Sequence, residues 1–309
     1  MKIKKIIWPV ISIIIILAFG YIIYQNFAEF SKILDYPWII LILVLLSSIG
    51  FFFNGMKIKF LVKNFGVDLG VMESYWLSVV TSLGNYLTPF RGGAALRAYY
   101  LKKKYQFSYI DFFVTMAGTY VIILFVTAIL GLICLLVMYL LNIPTPKEFI
   151  ILFLGILVLT ILVLFVKIPH KINSSNFILR KISKVIKGWN LIKKDKKLIL
   201  KVGLMDTFCY VIVILKVYIL FEVLDQGISF ISSTLLGLIH GISTLITITP
   251  AALGIREVAI AYSAELLGIG LNVGAVVSII DRVILILTLL LLGLIFGKKY
   301  VVKKNSVVP

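Results

Sequence analysis

The sequence predicts an all-α, polytopic integral membrane protein. We read it as about six full spans plus two oppositely oriented re-entrant, broken helical hairpins, arranged as an inverted repeat. Three observations lead there: an apolar excess, a regular series of span-length apolar runs, and the clustering of basic charge between them. Of 309 residues, 61% are hydrophobic and 14% charged, and the mean hydropathy is +1.11. A soluble domain carries about 45–50% apolar and about 25% charged residues. Too little polar surface remains to cover a water-facing domain, which excludes a soluble enzyme, a disordered chain and a disulfide scaffold. Cys134 and Cys209 are too few for a disulfide framework.

A helix needs roughly 20 apolar residues to cross a hydrocarbon core about 30 Å thick. Runs that meet this are 6–24, 37–54, 112–141, 149–166, 202–221 and 273–297. The first follows Lys2, Lys4 and Lys5 and imitates a signal peptide. Its length and the absence of a small-residue cleavage site favour a retained span. The 112–141 run would be about 45 Å long and should tilt, kink or project. Two further stretches are apolar but interrupted: 73–101, broken at Thr88-Pro89-Phe90-Arg91-Gly92-Gly93, and 231–268, broken at Thr249-Pro250-Ala251-Ala252-Leu253-Gly254.

Charge decides how the broken stretches run. The N-terminus, 55–72 (Lys57, Lys59, Lys63), 102–111, 167–201 and the C-terminus together hold 24 of the 31 Lys and Arg. Lys32 and Lys147 lie in the other loops, with Glu29, Asp35, Glu148, Glu222 and Asp225. Basic loops belong on the cytoplasmic side. If each broken stretch crossed fully, the 102–104 lysines and the 167–201 loop would fall outside. If each dips in and returns, every basic cluster falls inside. The expected topology is therefore a single transmembrane domain over 1–309 in the cell membrane, with both termini cytoplasmic. Two hairpins entering from opposite faces form an inverted repeat. Thr88-Pro89-x-x-x-Gly93 recurring as Thr249-Pro250-x-x-x-Gly254 fits that pairing.

Within the basic loop, Ile178, Leu179, Ile182, Val185, Ile186 and Trp189 recur at helical spacing, with lysines and an arginine between them. That pattern suits an amphipathic helix on anionic headgroups; a plain stop signal is the other reading.

No histidine, cysteine and carboxylate cluster has metal-ligand spacing, and no hydrolase, metalloprotease or phosphate-loop motif occurs. No cofactor or metal is expected. Basic residues inside apolar segments stand out instead: Arg91, Arg97, Lys216, Arg256 and Arg282. Each costs roughly 2.5–3.5 kcal/mol at a helix centre on insertion scales. Such groups face a cavity, pair with an acid or bind an anion. Glu257 and Asp281 are the nearby acids, so four arginines that converged would keep a net positive charge suited to phosphate.

Pro89 and Pro250 should end their helices, with Gly92, Gly93 and Gly254 turning the chain. The next helix would present free N–H groups at membrane depth, a ready anion site. The other reading is pure ion pairing, Arg91–Glu257 or Arg256–Asp281. Arg97 could also snorkel. Lys216 is expected to pair with Glu222 at a span end. His240 and Asp206 read as satisfied interior groups, and Tyr86, Tyr99 and Tyr100 as packing aromatics. Asn85 either satisfies freed backbone or lines the path.

Two segments carry a family resemblance. Leu87-Thr88-Pro89-Phe90-Arg91-Gly92-Gly93-Ala94-Ala95-Leu96-Arg97-Ala98-Tyr99 resembles the L-T-P-G-R-x-G-E-x-x-R-A-Y segment of the lysylphosphatidylglycerol synthase transmembrane-region, or flippase-like, family. Thr249 to Glu257 resembles its P-G-G-L-G-x-R-E segment, and Arg282 with the apolar run to Gly293 its last span. The family's usual glutamate is Ala94 here, and its glycines are Phe90, Ala251 and Ala252. These departures point to an altered headgroup preference or lost activity. The best-known members add a cytosolic aminoacyl-transferase domain. This chain ends shortly after its last span and is expected to stand alone.

The resemblance implies a flippase or scramblase-like role for an anionic or phosphate-bearing lipid. Arg91, Arg97, Arg256 and Arg282 would contact the headgroup, with Glu257 and Asp281 orienting them. Some archaeal relatives are linked to polyprenyl-phosphate glycan pathways. The competing expectations are a membrane enzyme of lipid-linked glycan or phospholipid metabolism, with Asp111, Glu73 and Asp206 as the only acids to serve it, and a non-catalytic membrane subunit. The expected partners are membrane lipids, not nucleic acid, and self-association stays open.

Overall fold

The computed structural model describes residues 20–22, 24–88, 91–165, 177–246, 249 and 252–301. The expected first span, 6–24, lies outside them except at its end. Among the described residues the chain is helical and contains no strand. The helices are α1 (Phe27–Lys32), followed by a 3-10 turn (Ile33–Asp35), α2 (Pro37–Lys63), α3 (Val71–Leu87), α4 (Gly92–Tyr105), α5 (Tyr109–Leu140), α6 (Lys147–Phe165), α7 (Phe177–Lys194), α8 (Lys196–Val223), α9 (Phe230–Ser243), α10 (Ile255–Leu266) and α11 (Leu271–Val301).

Five of them, α2, α5, α6, α8 and α11, are long and apolar enough to cross a membrane. α3, α4, α9 and α10 have 17, 14, 14 and 12 residues. At 1.5 Å per residue the longest reaches about 26 Å, short of a full hydrocarbon core. The interrupted stretches thus fold as pairs of short helices. Ser108 and Ser229 accept from the Ile110 and Ser232 N–H groups and start α5 and α9. α5 runs unbroken for 32 residues.

The chain packs as two compact units. The first comprises Met1–Phe51, Val79–Ala94 and Tyr210–Pro309. Its core gathers Leu43 of α2, Leu220 and Phe221 of α8, Leu236 of α9, Ala264 of α10 and Ile280 of α11. Gly237 and Gly241 of α9 lie so close to α8 that a Cβ would strike Ile214 and Tyr210, and Gly274 of α11 lies equally close to Ala261 and Ala264 of α10. Lys32 and Asp225 pair at 2.9 Å, joining two segments that the charge pattern assigns to one side.

The second unit comprises Phe52–Ser78 and Ala95–Cys209. Its core joins Leu61 of α2, Val114 and Ile122 of α5, Trp189 and Ile192 of α7 and Val202 of α8. The amphipathic helix α7 packs on protein at its C-terminal half. Trp189 and Ile192 are buried against protein, and Gly188 and Gly118 admit the close approach of α7 to α5. Of the apolar stripe Trp189 is thus spent on protein, whereas Ile182 stays 43% exposed on the helix that carries exposed Lys184, Lys187 and Lys194. The 55–72 loop is also shorter than expected. α2 continues to Lys63, because Lys57 is buried and paired inside the unit rather than solvated.

Candidate functional site: two broken hairpins and a buried charge network

Thr88 begins the first break. Its hydroxyl donates to the Gly84 carbonyl at 2.6 Å, closing the end of α3 locally. The Ala94 N–H donates to Arg91 O at 2.9 Å and to Asn85 Oδ1 at 3.3 Å. Asn85 therefore satisfies freed backbone, one of the two readings the sequence left open. α4 then returns along α3 so closely that a Cβ on Gly93 would overlap the Thr81 carbonyl. Only glycine fits there.

Farther along, in the second unit, the open end of this hairpin is clamped. Glu73 Oε1 accepts from Tyr100 at 2.6 Å, Lys104 at 2.8 Å and Tyr105 at 2.9 Å. Burial works to raise the Glu73 carboxyl, but these donors outweigh it and hold the group below its usual value. Burial and the Glu73 carboxylate push the Tyr100 phenol up to about 12.

Arg91 stands at the tip in the left-handed region, φ 58. A non-glycine residue rarely stays there unless its surroundings hold it. Its Nη2 donates to Leu245 O at 2.8 Å and to Thr244 O at 3.4 Å. These carbonyls end α9, where the backbone lacks helical partners and the helix dipole is negative. The first break thus reaches the second, and Arg91 joins them. Arg91 is half-buried.

At the second break, Thr249 Oγ1 donates to Leu253 O at 2.7 Å. Pro89, Phe90, Pro250 and Ala251 lie outside the described residues. Gly254, φ 83, precedes α10, and its N–H donates to Glu257 Oε2 at 2.8 Å. The expected open N-terminus therefore already carries an anion, the chain's own Glu257. Ala252, where the resembled pattern has glycine, adopts φ 54.

Behind this break lies a buried network. Arg256, 1% exposed, donates through Nη1 to Asp281 Oδ2 at 3.2 Å and through Nη2 to Ser278 O at 2.9 Å. Arg282 Nε donates to Glu257 Oε1 at 2.6 Å. Each arginine takes the carboxylate beside the other, and Arg256 Nε also lies 3.4 Å from Glu257 Oε1, its own neighbour. The sequence order, with Glu257 next to Arg256 and Asp281 next to Arg282, conceals this. Arg256–Asp281 is the ion pair foreseen as the alternative, whereas Arg91 reaches carbonyls in place of Glu257.

Lys216 corrects another expectation. It is buried and pairs with Asp281 Oδ1 at 2.6 Å, while Glu222 is exposed. The deep acid attracts it because a buried ammonium without a partner is costly. His240 Nδ1 lies 4.0 Å from Asp281 Oδ2. The Tyr86 ring lies 5.7 Å from the Arg282 guanidinium. Three cations against two carboxylates leave this cluster at +1 with His240 neutral.

Arg97 lies in the second unit, half-buried, with its guanidinium 5.2 Å from the Phe112 ring centroid. Lys57 and Asp206, also there, form a buried pair at 2.6 Å. Sequence reasoning missed Lys57 because its neighbours Lys59 and Lys63 suggested a solvated loop. Among the described residues, no group of three or more metal-ligating side chains is assembled.

No curated protein and no solved structure matches the chain. The family model described as the lysylphosphatidylglycerol synthase TM region matches residues 9–293. With its apolar helices and both break motifs inside that match, the chain is a multi-pass membrane protein and belongs to the lysylphosphatidylglycerol synthase TM region family, one tied to lipid metabolism or translocation.

Proposed function

We propose that the protein is a flippase or scramblase-like carrier for an anionic or phosphate-bearing lipid headgroup in the cell membrane, with both termini cytoplasmic. The two broken helix pairs act as re-entrant hairpins in this reading. One observation supports it above the others: half-buried Arg91 sits where the two breaks meet and is held by two neutral carbonyl oxygens. A phosphate offers a guanidinium a charged, bidentate alternative to a pair of carbonyls. Short helices ending at membrane depth are also how many transporters build a substrate path.

The site residues divide by depth. Half-buried Arg91 contacts the headgroup, and half-buried Arg97 of the second unit offers a separate anion contact. Arg256, Glu257, Asp281 and Arg282 are buried in mutual pairs and act as positioning residues that hold the second break. The acyl chains remain in lipid, so only the headgroup needs a polar route.

The test is reconstitution into vesicles of phosphatidylethanolamine and phosphatidylglycerol carrying a fluorescent phosphatidylglycerol. Wild-type protein should expose inner-leaflet probe to a membrane-impermeant quencher, and Arg91→Ala should slow that exposure at least tenfold. Equal rates for wild type and Arg91→Ala would remove the assigned role. No movement above empty vesicles would remove the carrier reading for this lipid class.

A further inference from the structure

The second unit holds a buried ion pair that the headgroup site does not use. Lys57 Nζ meets Asp206 Oδ1 at 2.6 Å, and Asp206 is 0% exposed. Both residues lie in span-length helices, α2 and α8. The other oxygen, Asp206 Oδ2, is buried and has no hydrogen-bond partner among the described residues. Asp281 provides an internal control. It also meets a lysine at 2.6 Å through one oxygen, but Arg256 occupies its second.

A carboxylate that serves only to hold helices together is expected to have both oxygens satisfied, since an unmet buried acceptor costs about 1–3 kcal/mol. Acidic groups retained in spans at such cost mark ion and proton routes. Cys209 lies one turn along α8 from Asp206.

We infer that Lys57–Asp206 is a membrane-embedded proton-binding site, with Asp206 Oδ2 as the atom that takes the proton. The carboxylate becomes a carboxylic acid, no other bond breaks, and Oδ1 still accepts from the Lys57 ammonium. The pair passes from neutral to +1. A single uncompensated charge is expensive in an apolar interior, so loading is favoured when negative charge arrives nearby and release when it departs. Proton binding rests on this pair alone. Its use to drive an anionic headgroup rests on the carrier reading above.

Two measurements keep these apart. Difference infrared spectroscopy across a pH titration of the whole protein in nanodiscs should show a protonated carboxyl band that Asp206→Asn removes. Where that variant fails to fold, Lys57→Met/Asp206→Leu serves, because it replaces the pair with apolar bulk. A titration with no band that depends on Asp206 overturns the site. In the vesicle assay an imposed pH gradient should change the wild-type rate several-fold, while Lys57→Met/Asp206→Leu moves probe without responding to the gradient. A wild-type rate independent of the gradient overturns the coupling. Failure of any probe to move, with the carboxyl band present, counts against the carrier reading and leaves the proton site standing.

Discussion

Two buried lysine–aspartate pairs share the same 2.6 Å contact and differ in everything around it. Asp281 belongs to a network in which Lys216, Arg256, Glu257 and Arg282 constrain one another. Among the described residues, Asp206 pairs with Lys57 and has one oxygen unmet. The difference teaches that a short ion-pair distance does not define a role. A saturated carboxylate resists change because several cations depend on it. A half-satisfied one can change charge without dismantling its surroundings.

The largest expected effect tests the saturated pair. Asp281→Asn strands Lys216 and takes from Arg256 one of its two carboxylates, and breaking a buried pair costs about 3–5 kcal/mol. Thermal unfolding in detergent should show a protein that barely folds. Lys216→Met/Asp281→Leu should rescue it poorly, because Arg256 loses the acceptor at Nη1 and keeps only its 3.4 Å contact with Glu257. Stability near wild type for that double variant would mean that the network is not one unit.

Next in size is the first hairpin. Gly93→Ala forces α4 away from the Thr81 carbonyl, and overpacking of this kind costs about 1–3 kcal/mol. A wild-type unfolding temperature would show that the hairpin has room the close approach denies. Lys57→Met/Asp206→Leu should lie within about 1 kcal/mol of wild type or above it, since apolar replacement of a buried pair is often neutral or stabilising. A loss as large as that of Asp281→Asn would erase the contrast between the regions.

Smaller still is Ala252→Gly. The left-handed conformation costs a non-glycine residue about 1–2 kcal/mol, and glycine's added unfolded-state entropy returns roughly 0.5–1 kcal/mol of that. A gain of about 0.5–1 kcal/mol is expected.

The Glu73 clamp adds a pH signature. Its folded carboxyl titrates below its unfolded value, about 4.3 for glutamate. The stabilisation is complete above that unfolded value and fades as pH falls through the lower, folded one. Wild type should therefore exceed Glu73→Gln in stability at neutral pH, and the gap should close in acid. A gap that widened in acid would reverse the assigned direction.

Much of this architecture was legible in the sequence. Length and hydropathy located the five span-length helices that the structure describes, although α2 runs nine residues past the expected end at 54 and α8 starts six before the expected 202. Thr-Pro and glycine marked both breaks, because proline ends a helix and glycine admits the close return. The partners were not legible. Arg256 and Glu257 are neighbours in sequence, yet their shorter contacts run to Asp281 and Arg282 on α11. Lys216 reached past Glu222 because burial rewards the deeper acid. Lys57 was hidden by Lys59 and Lys63 beside it, which read as a solvated loop. Glu257 capping its own helix was readable in principle, since a glutamate three residues after Gly254 is spaced to reach back to that N–H.

The two breaks meet at Arg91. The most direct test of a headgroup site there is an electron cryomicroscopy map of the protein in nanodiscs rich in phosphatidylglycerol. We predict a lipid phosphate against the Arg91 guanidinium, beside the Leu245 carbonyl. Arg91 turned wholly onto the α9 carbonyls, with ordered headgroups only at the protein's outer faces, would contradict it.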